Sequence, residues 1–336
     1  MAADLQVDMQ AVEQYGYAVV KGVIPPGVCA RARALMDAQL GPPAERVHVH
    51  VEQLYGLDDT NEGAAWPGPL GIAKFDGRGV RPPEIASRGY RHSLRHPIRD
   101  SVCAELVPPA MVALHSKLLR TDSLRMNQQF MVRTDYQPPP YPKSPGWHID
   151  HSFLPQQYAA TPRAVYYSSM IALSPIVAGG AAFTVSPSSL AESKAEAARI
   201  LEAEPEWCAT LPDDGYRVDL PARIRPSLSD YSNGSAGHEI LCDEGDVVII
   251  NPMCLHSPSP MRLPGRSRYV CFNSFFSTGG EFMLLPERGS TRPAEKFSQE
   301  LRDGLEAQGL SSLLEWAPPT RPDTQRIRFF GGDARL

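Results

Sequence analysis

No apolar run in the 336-residue chain reaches the ~18 residues needed to cross a bilayer, so no membrane span is expected. The opening Met1-Ala2-Ala3-Asp4 lacks a basic region followed by an apolar stretch, so no signal peptide is expected either. No Cys-x-x-Cys pair occurs among Cys29, Cys103, Cys208, Cys242, Cys254 and Cys271. Their scatter argues against a thiolate metal site and for buried thiols in a reducing compartment. Positive charge is not in excess: 33 Lys and Arg stand against 38 Asp and Glu, a formal net charge of −5. That balance gives no reason to expect a nucleic-acid partner. Internal repeats and low-complexity tracts are missing too, which excludes a solenoid.

What remains is the composition of an ordinary globule, 42% hydrophobic and 21% charged. Proline is plentiful. Its 33 copies are about twice the ~5% background, which argues for long ordered loops and against a helical bundle. Residues 5–15 read as a short helix feeding a strand Tyr17–Val20. An amphipathic helix is expected over 26–40, with Val28, Ala32, Leu35 and Leu40 as its apolar side. Residues 41–100 are polar and rich in Pro and Gly, and read as irregular structure. A helix over 97–120 should be split or kinked at Pro108-Pro109. Strands are expected over 125–133, 164–174, 181–186 and 247–250, and from Arg266 onward. A helix is expected over 188–204, then a loop-rich insertion to residue 237 that would wall or cover a pocket. Past Phe276 the chain should leave the core, with a surface helix over 293–309. The strand count and the many turns predict a mainly β fold with flanking helices, a double-stranded β-helix or jelly roll. A single domain over 1–336 is expected, with irregular insertions near 41–100 and 188–237.

The chemistry centres on Gly146-Trp147-His148-Ile149-Asp150-His151. In a strand, residues i and i+2 project from the same face, so His148 and Asp150 can address one point. A bare His-x-Asp is also compatible with a strand-edge His and a surface Asp. A third ligand is sought downstream, where Gly245-Asp246 reads as a turn, Val247–Ile250 as a buried strand, and His256 follows. Two histidines and one carboxylate form the facial triad that leaves open positions on Fe(II). An Arg at the start of the next strand can hold a carboxylate by two parallel hydrogen bonds. Together these describe a 2-oxoglutarate site. Arg266 and Arg268 both qualify, and alternation cannot separate them because they share strand parity. A rival stretch, His48-Val49-His50-Val51-Glu52, includes a His-x-Glu triplet but has no paired downstream unit and reads better as a solvated edge strand.

These stretches resemble the phytanoyl-CoA dioxygenase family of Fe(II)/2-oxoglutarate oxygenases, to which the ectoine hydroxylases belong. Residues 12–24 look like the family's opening strand. Trp147–Asp150, Arg163–Ser174, Gly179–Pro187 and Gly245…His256…Arg268 match in order and spacing. The family's Pro-Gly-Ser-His reads Pro187-Ser188-Ser189-Leu190 here, and its His-Gly-Ser reads His256-Ser257-Pro258. The resemblance implies metal ligands His148, Asp150 and His256. Aligning Phe275 and Ser277 with the end of the family's strand favours Arg268 over Arg266 for the cosubstrate. Ser168 is expected to help from the neighbouring strand, and Gln129 to reach the cosubstrate from the strand before the metal sequence.

The resemblance further implies Fe(II), 2-oxoglutarate and O2, with ascorbate as support, and succinate and CO2 as products. A carboxylate at Asp150 favours hydroxylation over halogenation. Desaturation, epoxidation and ring formation stay open. The partner expected is a medium-sized small molecule of specialised metabolism. A free amino acid or compatible solute, or an acyl-CoA, is the alternative, and a non-catalytic metal-binding jelly roll is the reading from another class. No nucleic acid or membrane is expected, and a homodimer is allowed for. Cytoplasm is the default location, although Ala334-Arg335-Leu336 resembles a peroxisomal tripeptide.

Overall fold

The computed structural model describes residues 5, 7–40, 84–88, 90–95, 98–139, 147, 166–206, 237–251, 253–277 and 297–315. In chain order these form α1 (Met9–Tyr15), β1 (Tyr17–Val20), α2 (Pro26–Leu40), β2 (Glu84–Arg88), β3 (Arg91–Arg95), α3 (Val102–Glu105) and α4 (Pro109–Leu119). Next come β4 (Leu124–Asp135), β5 (Tyr166–Ala172), β6 (Phe183–Val185) and α5 (Ser189–Ala203). The rest are β7 (His238–Ile240), β8 (Val247–Ile250), β9 (His256–Pro258), β10 (Ser267–Ser277), α6 (Gln299–Ala307) and a 3-10 turn, Ser311–Leu314. Among these residues no helix is long and apolar enough to cross a membrane.

The strands make two antiparallel sheets, one ordered β1-β8-β5-β10-β4-β3-β2 and one ordered β7-β6-β9. This is the jelly-roll arrangement. Alternation sorts the large sheet into two faces. Val247, Ile249, Ile171, Cys271 and Phe275 meet α2, α3 and α4 in an outer core. Val248, Ile250, Met170, Val270 and Val132 point the other way, toward Phe183, Val185 and Ile240 of the small sheet, and make the inner core.

Local sequence explains several joints. Pro109 opens α4 at N1, where its missing N–H costs nothing, so the expected 97–120 helix is two helices. Gly245 takes φ +87° before β8, and a Cβ there would meet the Ile24 carbonyl at 2.2 Å. The buried Asp246 carboxylate accepts from Gly22 N at 2.9 Å, Asp243 N at 2.8 Å and Lys21 Nζ at 2.8 Å. These bonds tie the β1 exit to the β8 entry.

Two expectations need correcting. Residues 84–95, assigned to irregular structure, form the β2–β3 hairpin that extends the sheet beyond β4. The chain also does not leave the core after Phe276. Leu301 and Leu305 of α6 are fully buried in the outer core, and Gly304 sits so close to Ala104 of α3 that a Cβ would come within 2.3 Å. Separately, β4 carries a bulge. Ser274 pairs with Gln128 and Phe275 with Met126, so Asn127 is the extra residue.

Candidate active site

His256 opens β9 opposite Val185. It is buried, and its ring stacks on Phe183 with centroids 4.9 Å apart. Its Nδ1 lies 2.9 Å from the Cys254 carbonyl. A carbonyl can only accept, so Nδ1 carries a hydrogen, which in the neutral ring leaves the Nε2 lone pair for a metal. The turn before it is anchored by Ser189, whose Oγ accepts from Leu255 N at 2.9 Å and donates to the Ser186 carbonyl at 2.7 Å. Ser189 belongs to the Pro187-Ser188-Ser189-Leu190 segment and went unassigned in the sequence reading. Its place beside Leu255 comes from long-range packing that no local pattern carries.

Trp147 is also buried, and it packs on Leu255. The residues immediately preceding His148 and His256 therefore touch. His148 and Asp150 themselves lie outside the described residues, as do His48, His50 and Glu52 of the rival stretch. Among the described residues no three His, Cys, Asp or Glu side chains converge as a metal site.

At the other end of the inner face stands Arg268, 2% exposed. Its parity is that of Val270, an inner-core residue. It donates to the Ala181 carbonyl, and more distantly, at 3.4 Å, to Thr134 Oγ1. Its Nε has no acceptor among the described residues. Burial, followed by the nearby charge of Arg91, pushes the guanidinium down to about 9. It still carries its charge at neutral pH. Among the described residues no carboxylate faces it, and a buried cation so placed is costly unless an anion arrives. Arg266 lies in the exposed turn before β10 and is not buried with it.

Two expected helpers sit elsewhere. Gln129 is buried on the outer face, where its Nε2 donates to the Cys103 carbonyl of α3 at 2.8 Å. The reason is strand phase: inner-face parity on this side of the bulge belongs to Gln128, Phe130 and Val132. Ser168 does face inward, but it pairs with Ser274, not with Arg268. Ser274 is six residues further along β10, roughly 20 Å at ~3.4 Å per residue. Ser168 is therefore not beside the group that Arg268 would hold.

The family model of phytanoyl-CoA dioxygenase (PhyH) matches residues 12–267. The chain belongs to this family. No curated protein is significantly similar to it in sequence. Among solved structures, HygX from Streptomyces hygroscopicus, with nickel and 2-oxoglutarate bound, is 14% identical with a TM-score of 0.46 over 84% of this chain and 91% of its own. The epimerase SnoN, in complex with Fe3+, alpha-ketoglutarate and nogalamycin RO, is 15% identical with a TM-score of 0.48 over 84% and 90%. AviO1 from Streptomyces viridochromogenes Tue57 is 15% identical with a TM-score of 0.44 over 81% and 94%. Likenesses this distant carry no weight for the reaction; membership rests on the family match.

Proposed function

We propose that this family member is an Fe(II)- and 2-oxoglutarate-dependent dioxygenase that hydroxylates a medium-sized small molecule of specialised metabolism. The observation that carries the reading is Arg268, a buried guanidinium whose Nε has no acceptor among the described residues. The distal carboxylate of 2-oxoglutarate fits it, because a planar fork takes a carboxylate by two parallel hydrogen bonds. His256, with His148 and Asp150 from the metal sequence, would hold the iron. Bound together, Fe(II) and 2-oxoglutarate supply the O2-dependent oxidation that releases succinate and CO2.

The chain's own contribution is placement. The Cys254 carbonyl fixes the His256 tautomer, and Ser189 fixes the turn that presents the ring. The Trp147–Leu255 contact supports a shared site for the two histidine-bearing segments. The burial of Arg268 strengthens its grip on an anion, since charges attract more strongly at low dielectric. A metal kept only for structure would have no use for such a cation, which weighs against the non-catalytic reading.

The test is succinate release from 2-oxoglutarate with Fe(II) and ascorbate, for the wild type and for His256→Ala. Wild-type release that His256→Ala abolishes is the expected result. Equal release by the two proteins would remove His256 from the metal site.

A further inference from the structure

Beyond the Phe130–Phe272 stack, whose centroids are 5.0 Å apart, the inner face changes character. Val270 and Phe272 give way to three neighbouring polar side chains on β4, β10 and β5. Gln128 Nε2 donates to Ser274 Oγ at 3.4 Å. Ser274 Oγ and Ser168 Oγ lie 2.9 Å apart. Both serines are buried, whereas Gln128 is half-exposed.

The topology orients this trio against the rest of the site. The chain leaves β8 at Ile250, opposite Ser168, and reaches His256 through a turn. From there β9 runs toward Met261, which bridges Tyr136 beside the Arg268 end. His256 therefore opens β9 at the trio's end of the barrel, with Arg268 at the opposite end. A cosubstrate stretched from Arg268 toward His256 leaves the trio on the side where a substrate would lie.

The hydrogen-bond inventory defines what the trio can recognise. Two hydroxyls that bond each other use one hydrogen between them, whichever donates, so the other hydrogen is left to give. Gln128 keeps its Oε1 and a second N–H with no partner in the described residues. The trio thus offers an O–H donor, an N–H donor and a carbonyl acceptor, and no charge. We infer that Gln128, Ser274 and Ser168 form the substrate-recognition subsite, taking an uncharged hydroxyl- or carbonyl-bearing group rather than a carboxylate or phosphate. A buried carboxylate there would face no cation from the trio and would bear its desolvation uncompensated. This deepens the proposed function and rests on it.

Two measurements test it. The first is the 2-oxoglutarate Kd of the Fe(II)-loaded enzyme without O2, by calorimetry. The second is the stimulation of succinate release by a panel of neutral alcohols, glycosides and ketones, set against the matching carboxylic acids. Neutral members should stimulate the wild type, and Gln128→Leu and Ser274→Ala should each lose that stimulation at least tenfold. Ser168→Ala should change the 2-oxoglutarate Kd less than twofold. Stimulation confined to acids, no stimulation by any neutral compound, neutral stimulation that survives both substitutions, or a tenfold rise in Kd for Ser168→Ala would each overturn the assignment. Failure of the underlying reading looks different, because the wild type would then bind no 2-oxoglutarate at all.

Discussion

Replacing Arg268 by Met should separate binding from stability. The guanidinium is 2% exposed and its Nε lacks an acceptor among the described residues, so without ligand it is a buried charge that no carboxylate of those residues compensates. Methionine keeps much of the volume and removes the charge. Such replacements are often neutral or stabilising by ~1–4 kcal/mol, so the ligand-free variant should melt no lower than the wild type. The cost appears on adding 2-oxoglutarate. A carboxylate entering the same pocket would lose its cation, at about 2–5 kcal/mol, or roughly 30-fold to several thousand-fold in Kd at 1.4 kcal/mol per decade. At a ligand concentration of about 100 times Kd, the wild type gains ~2.7 kcal/mol. With about 2.1 cal/mol/K of unfolding entropy per residue over 336 residues, that is a rise of about 4 °C. Thermal melts with Fe(II), with and without 2-oxoglutarate, read both effects. Arg268→Met should hold its ligand-free Tm and lose the rise, while Arg266→Ala, truncating an exposed residue, should keep the rise almost intact. A variant that melts several degrees lower without ligand, together with a wild type indifferent to 2-oxoglutarate, would refute the reasoning. Arg268 would then be a structural cation.

Asp135→Asn should destabilise by about 3–5 kcal/mol, because the fully buried Arg133 would keep only the half-exposed Asp37 at 2.7 Å as its carboxylate in the described network. Chemical denaturation of Asp135→Asn beside Asp37→Asn should show the larger loss at Asp135. Burial alone would raise the Asp135 carboxyl, but contacts from His92 and Ser267 and the Arg133 charge hold it below the usual carboxylate range. Its contribution should therefore be present above that range and fade as pH falls through the lowered value. An acid melting series in which Asp135→Asn loses as much stability between wild-type pH points as the native chain would contradict this. Gly245→Ala should cost more than ~1 kcal/mol, since the methyl would meet the Ile24 carbonyl at 2.2 Å on a backbone at φ +87°; an unchanged Tm would show that the β1–β8 joint gives way without penalty.

What was legible in the sequence was what depends on neighbours in the chain. The β1 run Tyr17–Val20, the helix Pro26–Leu40 and the Gly245-Asp246 turn before β8 appear where expected, because alternation, helical spacing and turn chemistry are local. Within α2 the buried side was only partly foreseen: Cys29 and Met36 are buried, while Leu35 is half-buried. The β2–β3 hairpin was hidden because Arg91-His92-Ser93-Leu94-Arg95 holds one apolar residue among four polar or charged ones. The return of α6 was hidden because only Leu301, Gly304 and Leu305 mark its packed side. At the site, the burial of Arg268 together with the exposure of Arg266 is what parity could not give. Where the strand actually begins separates them. The assignments of Gln129 and Ser168 failed for a related reason. Which residue faces a ligand depends on the pairing register across strands, and register is a property of two segments at once.

The bulge in β4 extends that point. With Asn127 as a supernumerary residue, the strand has two phases, one on each side of it. Upstream, Met126 turns to the helices; downstream, Gln129 does, and Gln128 goes to the interior. The polarity of the barrel lining therefore hangs on how one position is accommodated. Were Asn127 paired in regular alternation instead of bulged out, the residues on one side of it would exchange faces with every amino acid unchanged. Pocket chemistry in such a barrel can change by where a strand bulges as readily as by the identity of a side chain.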